Sequence, residues 1–327
     1  MKKALWLLLA GICLFDLAVA AAAPPPKLDP LYPVSVDGKY GYINETGKMV
    51  IKPQYADAKP FYRDLAPVKV GDKYGYVDMR GVMQIPPTFQ DAWDFSDKAA
   101  PVEVANKWGY VDLLAHYLVE PKYQDAQGFS EGLAGTKLGE FWGFIDFKGT
   151  VVILHQFLEV GPFVNGLAMA NRDGKHGFID HLGKAVIPFQ YQDAWDFGDK
   201  LAPVRTGGKV GFIDEKGTMV IKPAYDDALP FADGLAPVKA GGKWGYINKA
   251  GAVVIPEKYD EAEKFSDGLA VVNIAEKHGY IDKTGKVVIP LQYDDAHDFW
   301  SGLGNVAVGN KWGYVDKTGK VIWPPSL

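Results

Sequence analysis

The feature that most constrains this chain is a repeat with a period of 34 residues. An aromatic–Gly–aromatic step, with Val in the first place of one copy, recurs nine times without insertion or deletion, and its glycines are Gly41, Gly75, Gly109, Gly143, Gly177, Gly211, Gly245, Gly279 and Gly313. A strict period of this length indicates units that cannot bury their apolar faces alone and therefore pack on their neighbours.

The residues inside the period predict strands, although helical repeats of the tetratricopeptide type share its length. The chain contains 37 Gly and 22 Pro, and proline removes helix hydrogen bonds whereas both residues favour turns. In one regular copy we predict strands over 235–239, 243–248 and 252–255, with a tight turn at Gly241 and Gly242. The unit is thus predicted to be a three-stranded meander followed by a polar connector.

The central strand of each unit carries the repeating motif. Alternation places Trp244 and Tyr246 on one face and Gly245 on the other. A strand glycine marks a bulge or a close backbone approach, and we expect a side chain of the neighbouring unit to pack there. On this reasoning, the following residues have structural roles in the repeat: Trp108, Gly109, Trp142, Gly143, Trp244, Gly245, Trp312 and Gly313.

The stretches at 107–112, 243–248 and 311–316 read Lys-Trp-Gly-Tyr followed by an aliphatic residue and Asp or Asn. This motif resembles the WG, or KWG, repeat family, and the resemblance covers about residues 31 to 327. Several copies depart from it in the Trp position, namely Tyr40, Tyr74, His176, Val210 and His278. The resemblance implies an architecture, often exported, and implies no agreed biochemical activity.

The phase of the repeat bears on whether the array is open or closed. The segment 31–36 matches 65–70, and 320–323 matches the third strand of a unit, which gives nine whole meanders. Propellers usually have 4 to 8 blades of four strands and often share one blade between the chain ends. We therefore predict an all-β, open, superhelical β-solenoid-like array, with a closed propeller-like ring as the alternative.

The first residues predict export. Lys2 and Lys3 precede an apolar run over 4–15 and small residues over 18–23, as in a secretory signal. We predict a signal peptide over 1–22 cleaved within 20–23, a Pro-rich leader over 23–30 and repeats over 31–327, in the periplasm or secreted, without a membrane span after cleavage. The only cysteine, Cys13, lies in this signal, so no disulfide is expected.

Two acidic series recur. The first lies three residues after each motif glycine, and because a glycine follows in eight of nine copies it predicts a hairpin turn held by the side chain: Asn44, Asp78, Asp112, Asp146, Asp180, Asp214, Asn248, Asp282 and Asp316. The second lies in the connectors, where it predicts local capping or, alternatively, a negative ridge: Asp57, Asp91, Asp125, Glu159, Asp193, Asp227, Glu261 and Asp295.

Nothing in the sequence indicates a catalytic, metal or cofactor site. The six histidines are scattered, no nucleophile elbow or phosphate loop is present, and Gly pairs lie in hairpin turns. The formal net charge of −5 argues against a nucleic-acid partner.

One connector position breaks the regularity. Two residues after the acid stand Trp93, Trp195 and His297, spaced by three units, where other copies hold Lys, Gln, Gly, Leu or Glu. A three-unit duplication explains the spacing, and exposed binding aromatics explain it as well. The predicted function is a non-catalytic scaffold of the cell envelope or exterior for protein–protein interaction. The alternative is a carbohydrate- or peptidoglycan-binding module that uses these aromatics, and a hydrolase with an unrecognised site comes third.

Overall fold

A computed structural model describes residues 30–62 and 64–325 of the chain. The predicted signal peptide and all but the last residue of the leader lie outside the described residues. Within the described part, strands form eight four-stranded antiparallel sheets and one three-stranded sheet, so the all-β prediction is confirmed. We call the sheets blades 1 to 9 in chain order.

Blade 1 contains β1 (Leu31–Val36), β2 (Lys39–Asn44) and β3 (Met49–Tyr55). Blade 2 contains β4 (Asp57–Ala58), β5 (Leu65–Val70), β6 (Lys73–Asp78) and β7 (Met83–Phe89), and blade 3 contains β8 (Asp91–Ala92), β9 (Ala100–Val104), β10 (Lys107–Val111) and β11 (Tyr117–Tyr123). Blade 4 contains β12 (Asp125–Ser130), β13 (Leu133–Leu138), β14 (Phe141–Ile145) and β15 (Val151–Phe157), and blade 5 contains β16 (Glu159–Val160), β17 (Ala168–Arg172), β18 (Lys175–Ile179) and β19 (Ala185–Tyr191).

Blade 6 contains β20 (Asp193–Ala194), β21 (Leu201–Thr206), β22 (Lys209–Asp214) and β23 (Met219–Tyr225), and blade 7 contains β24 (Asp227–Ala228), β25 (Leu235–Ala240), β26 (Lys243–Asn248) and β27 (Val253–Tyr259). Blade 8 contains β28 (Glu261–Ala262), β29 (Leu269–Ile274), β30 (Lys277–Asp282) and β31 (Val287–Tyr293), and blade 9 contains β32 (Asp295–Trp300), β33 (Leu303–Val308), β34 (Lys311–Asp316) and β35 (Val321–Trp323).

Each predicted three-stranded meander is present, and in blades 2 to 9 the preceding connector adds a further strand at its inner edge. In blade 7 the central strand β26 pairs with β25 on one side, Val238 opposite Gly245, and with β27 on the other, Trp244 opposite Tyr259. The short strand β24 pairs with β25 through two residues. The polar connector is therefore the first strand of the next blade, which the sequence pattern did not predict.

The motif glycine makes room for a bulge in the last strand of its own blade. The register of β26 against β27 shifts between Trp244 and Tyr246. A Cβ on Gly245 would lie 2.5 Å from the carbonyl oxygen of Ile255 and 2.7 Å from the amide nitrogen of Glu257. The same backbone approach occurs at all nine motif glycines. The prediction that a side chain of the neighbouring unit packs on this glycine was wrong, because the atoms closest to it are backbone atoms of its own blade.

The nine blades form a closed ring, so the predicted open solenoid-like array was wrong and its alternative is correct. The hydroxyl of Tyr32 in blade 1 donates to the carbonyl oxygen of Ser301 in blade 9 at 2.6 Å. The Tyr314 hydroxyl of blade 9 donates to the Pro33 carbonyl oxygen at 3.0 Å. One apolar cluster, which includes Leu303, is shared by these two blades.

The physical reason for the error lies in the connectors and in the mode of closure. Once the connector pairs as a strand, a blade has the four strands usual in propellers. The described parts of blades 1 and 9 meet through side chains instead of sharing a sheet, so whole units at both ends of the array do not argue against a ring. Nine blades exceed the usual range of 4 to 8, so the number of units did not by itself exclude a ring.

Neighbouring blades pack through equivalent buried clusters around the ring. Tyr246 of blade 7 lies in one buried cluster with Ala262, Phe265 and Ala270 of blade 8. Its ring contacts that of Phe265 at 5.1 Å, and its hydroxyl donates to the carbonyl oxygen of Glu263 at 2.8 Å. Blades 4 to 6 hold phenylalanine at the position of Tyr246, so they make the apolar contact without this hydrogen bond. Each blade is thereby fixed to the next by apolar area, and six of the nine add a tyrosine hydrogen bond.

Candidate functional site

The connectors lie where the blades converge towards the axis of the ring. A single cavity of about 430 Å³ is lined by Pro60 of blade 2, Asp94 of blade 3, Asp298 of blade 9 and Pro33 of blade 1. Blades 9 and 3 are three places apart in a ring of nine, so their residues meet only near its centre. The connector strands therefore face inwards, and the last strand of each blade forms the outer rim.

The three residues predicted to bind ligands occupy equivalent places in blades 3, 6 and 9 but differ in surroundings. Trp93 is exposed, and its ring lies edge-on to that of Trp108 at 5.9 Å. His297 is exposed and stacks on Trp312 at 4.4 Å. Trp195 is partly buried against the core of its blade. The structure brings Trp93 and His297 to neighbouring cavities, whereas Trp195 lies in another part of the ring.

Two further aromatics near the first cavity escaped the sequence prediction. They are Tyr62 and Trp300, which stand five residues after the connector acid. The other six copies hold small residues there: Ser96, Ser130, Val164, Gly198, Ala232 and Ser266. This contrast is visible in the sequence. That the two side chains meet cannot be read from the sequence, because Tyr62 and Trp300 are seven units apart along the chain and only two blades apart once the propeller closes.

A carboxylate follows the aromatic slot in blades 3, 6 and 9. Burial raises the pKa of Asp94, and the charge of Lys59 opposes this shift. Burial likewise raises the pKa of Asp196 and of Asp298, with Lys264 opposing in both. Within the described residues, Oδ1 of Asp94 and Oδ1 of Asp196 are buried without a hydrogen-bond partner. Ionisation of these carboxylates therefore carries a desolvation cost.

The first recurring acidic series has the predicted turn role in all nine copies. In blade 6, Oδ1 of Asp214 accepts hydrogen bonds from the amides of Lys216 at 2.9 Å and Thr218 at 2.8 Å. The amide of Thr218 is the main cause of a lowered pKa at Asp214. The same pair of bonds is made by Asn44, Asp78, Asp112, Asp146, Asp180, Asn248, Asp282 and Asp316.

The second acidic series holds local backbone rather than forming an uninterrupted negative ridge. Oδ1 of Asp57 accepts a hydrogen bond from the amide of Ala58 at 2.9 Å, and five other Asp copies make the same contact. Lys59 lies 2.9 Å from the carboxylate of Asp91, and Arg205 lies 3.2 Å from that of Asp227. Cations therefore alternate with acids along part of this series.

The other residues of interest lie apart from the cavities described above. Trp108 is buried, whereas Trp142 and Trp244 are partly buried beside their cores. His176, in a Trp position, is buried with Nε2 3.4 Å from Oε2 of Glu159. No three His, Asp or Glu side chains in residues 30–62 and 64–325 are arranged to hold a metal ion. In the same residues, no helix has the length and apolar character to cross a membrane.

Comparison with known proteins identifies the repeat. The profile of the WG containing repeat (WG_beta_rep) matches residues 40–74, 74–108, 108–140, 142–175, 177–209, 211–244, 244–277, 279–312 and 312–326. No functionally curated protein matches the chain in sequence.

Solved structures resemble the chain at low sequence identity. A crystal structure described as the eukaryotic initiation factor superposes with a TM-score of 0.65 at 10% identity, covering 90% of this chain and 95% of that one. The C-terminal WD40 domain of Sif2 gives 0.47 at 10%, covering 77% and 91%. The dihydro-heme d1 dehydrogenase NirN gives 0.47 at 12%, covering 84% and 76%. The first similarity supports the fold alone, and no conclusion is drawn from the other two.

Proposed function

Since the chain belongs to the family of proteins with WG-containing repeats, we propose that it is a non-catalytic scaffold that binds a protein partner on the outer rim of its propeller. A rigid ring of repeats suits this task, because each blade offers the same framework while single positions vary. The recurring carboxylates are used by local backbone amides, which leaves the irregular positions to carry specificity.

The observation that carries the proposal is an apolar patch of the rim on blades 4 and 5, formed by Leu154 and Leu182. Leu154 is 71% and Leu182 is 83% exposed, and only Leu114, elsewhere on the rim, is comparably exposed among the large hydrophobic residues that the structure describes. Gly183, next to Leu182, packs on Ile153, next to Leu154, so the turn of blade 5 adjoins the last strand of blade 4. Single exposed apolar residues are common, but a group on adjoining elements is typical of an interaction surface.

The repeat supplies variants that should fold. Blade 6 carries Lys216 and Lys222 at the positions equivalent to Leu182 and Leu154, so the double substitution Leu154→Lys with Leu182→Lys installs residues that the same framework already accepts. The matched control places lysine at the equivalent positions of blade 8, Thr284→Lys with Pro290→Lys.

The test is affinity capture from cell-envelope extracts, followed by binding of the purified partner to each variant. We expect a protein that the parent and the blade 8 control retain and that the blade 4 and 5 variant loses, by at least about tenfold in affinity. Equal retention by both double variants would refute a role for the rim of blades 4 and 5.

The proposed location is the periplasm or the cell exterior. The proposal rests on the basic, apolar and small-residue order of positions 1–23. Sequencing the N-terminus of the protein recovered outside the cytoplasm should find a start within 21–24. An intact Met1 on protein confined to the cytoplasm would contradict it.

A further inference from the structure

Three neighbouring cavities form one groove across blades 9, 1, 2 and 3, which we call the seam groove. The central cavity shares His297, Asn305 and Tyr314 with a cavity of about 600 Å³ that reaches Trp312. On its other side it shares Tyr62 and Asp94 with a cavity of about 410 Å³ that reaches Trp93. The groove is thus continuous along the place where the first and last blades meet.

Exposed aromatic rings are concentrated in the seam groove. Six Trp, Tyr or Phe side chains are clearly exposed among the residues that the structure describes, and four of them line this groove, each between 38 and 46% exposed: Tyr62, Trp93, Trp300 and Trp312. The three tryptophan rings are each backed by another ring. Trp93 lies against Trp108, Trp300 against Tyr32 at 5.6 Å, and Trp312 against His297. Backed rings are held in place and lose little conformational freedom on binding.

Polar groups lie between the rings. Asp94 and Asp298 both line the central cavity. Lys59 lines the cavity beside Trp93, together with Asp94 and Ser96. Each Asp is near a lysine that offsets part of its charge, Lys59 for Asp94 and Lys264 for Asp298. The groove therefore offers hydrogen-bond acceptors and a donor beside flat apolar surfaces, without a strong charge of one sign.

We propose that the seam groove binds an extended, uncharged oligosaccharide. A pyranose ring presents apolar C–H faces, which fit against aromatic rings, and hydroxyl groups at its edge, which need acceptors such as carboxylates. A row of several rings matches a chain of several sugars. A basic peptide would instead need acids without nearby lysines. None of the residues that line this site belongs to the Leu154 and Leu182 patch proposed to bind protein, so the two sites can be tested independently.

The first experiment presents the full chain to a printed array of glycans and then titrates hexamers of β-1,4-linked glucose and β-1,4-linked N-acetylglucosamine by calorimetry. We expect binding of at least one hexamer with a dissociation constant below about 1 mM. Failure of every arrayed glycan and both hexamers to bind would overturn the proposal, as would selective binding of a lysine-rich peptide in the same assay.

Variants then locate the site. Trp93→Ala and Trp300→Ala should each weaken binding by about tenfold, whereas Trp93→Tyr should retain most of it because a ring remains. Tyr117→Ala and Phe141→Ala are matched controls, since both rings are about as exposed, at 41 and 42%, and lie outside the groove. Equal losses in the controls would overturn the location. The lysine variant of blades 4 and 5 should bind the hexamer normally, which separates this proposal from the protein scaffold.

Discussion

Ring closure makes a quantitative prediction for Leu303→Ala. Leu303 opens the second strand of blade 9 and is 4% exposed, because it packs with Tyr32 and Val34 of blade 1. In an open array the same face of the last blade would meet water, and removal of the side chain would cost little.

The magnitude follows from burial. Truncating a buried leucine to alanine costs about 2 to 5 kcal/mol, the lost transfer energy plus the cavity that remains. Leu269→Ala is the matched control, because Leu269 holds the equivalent position in blade 8, is 7% exposed and packs against blade 9. A closed ring predicts that the two variants lose similar free energy of unfolding, within about 1 kcal/mol.

The assay is equilibrium unfolding in urea, followed by tryptophan fluorescence and by circular dichroism on the parent and both variants. An unfolding free energy of Leu303→Ala within about 0.5 kcal/mol of the parent, alongside a full loss for Leu269→Ala, would refute closure through this cluster. A similar loss of unfolding free energy at both positions would show that the contact between blades 9 and 1 stabilises the protein as much as the contact between blades 8 and 9.

Three further predictions concern single residues. Gly245→Ala should destabilise the protein by about 1 to 3 kcal/mol, because its Cβ meets backbone of the last strand of blade 7. Gly242→Ala, in the same blade, should cost about 1 to 2 kcal/mol, because only its positive φ is strained. Thermal melting compares the two variants, and a smaller loss at Gly245 would contradict the bulge at this position. Backbone hydrogen bonding, led by the amide of Thr218, holds the pKa of Asp214 below its ordinary 3.8, so its contribution is complete above that value and is lost as pH falls through the folded pKa. Asp214→Asn should therefore flatten part of the fall in melting temperature between about pH 5 and pH 2, and an unchanged profile would count against it. Burial raises the pKa of Asp94, so ionisation costs the folded state more than the unfolded one. Asp94→Asn should raise the melting temperature at pH 7, with a gain that vanishes below the ordinary Asp pKa; a lower melting temperature at pH 7 would show that the carboxylate stabilises the fold.

The sequence predicts those features that depend on one unit and misses those that depend on how units meet. Strands, hairpin turns and the first acidic series follow from local rules, because Asp214 and its equivalents bond to amides two and four residues away. The connector strand is missed because β24 pairs through only two residues, too few to leave an alternating pattern. Closure is missed because its contacts, such as Tyr32 to Ser301, join residues 269 positions apart.

The same distinction explains why the candidate site was found only in part. Trp93 and His297 are conspicuous in the sequence because they recur at three-unit spacing, yet that spacing also includes Trp195, which is partly buried in another part of the ring. Tyr62 and Trp300 share no short spacing, and they come to one cavity only because blade 9 adjoins blade 1. Periodicity therefore marks ancestry as readily as function. A ring converts the two ends of a repeat array into neighbours, so an irregular position near one end should be compared first with irregular positions near the other.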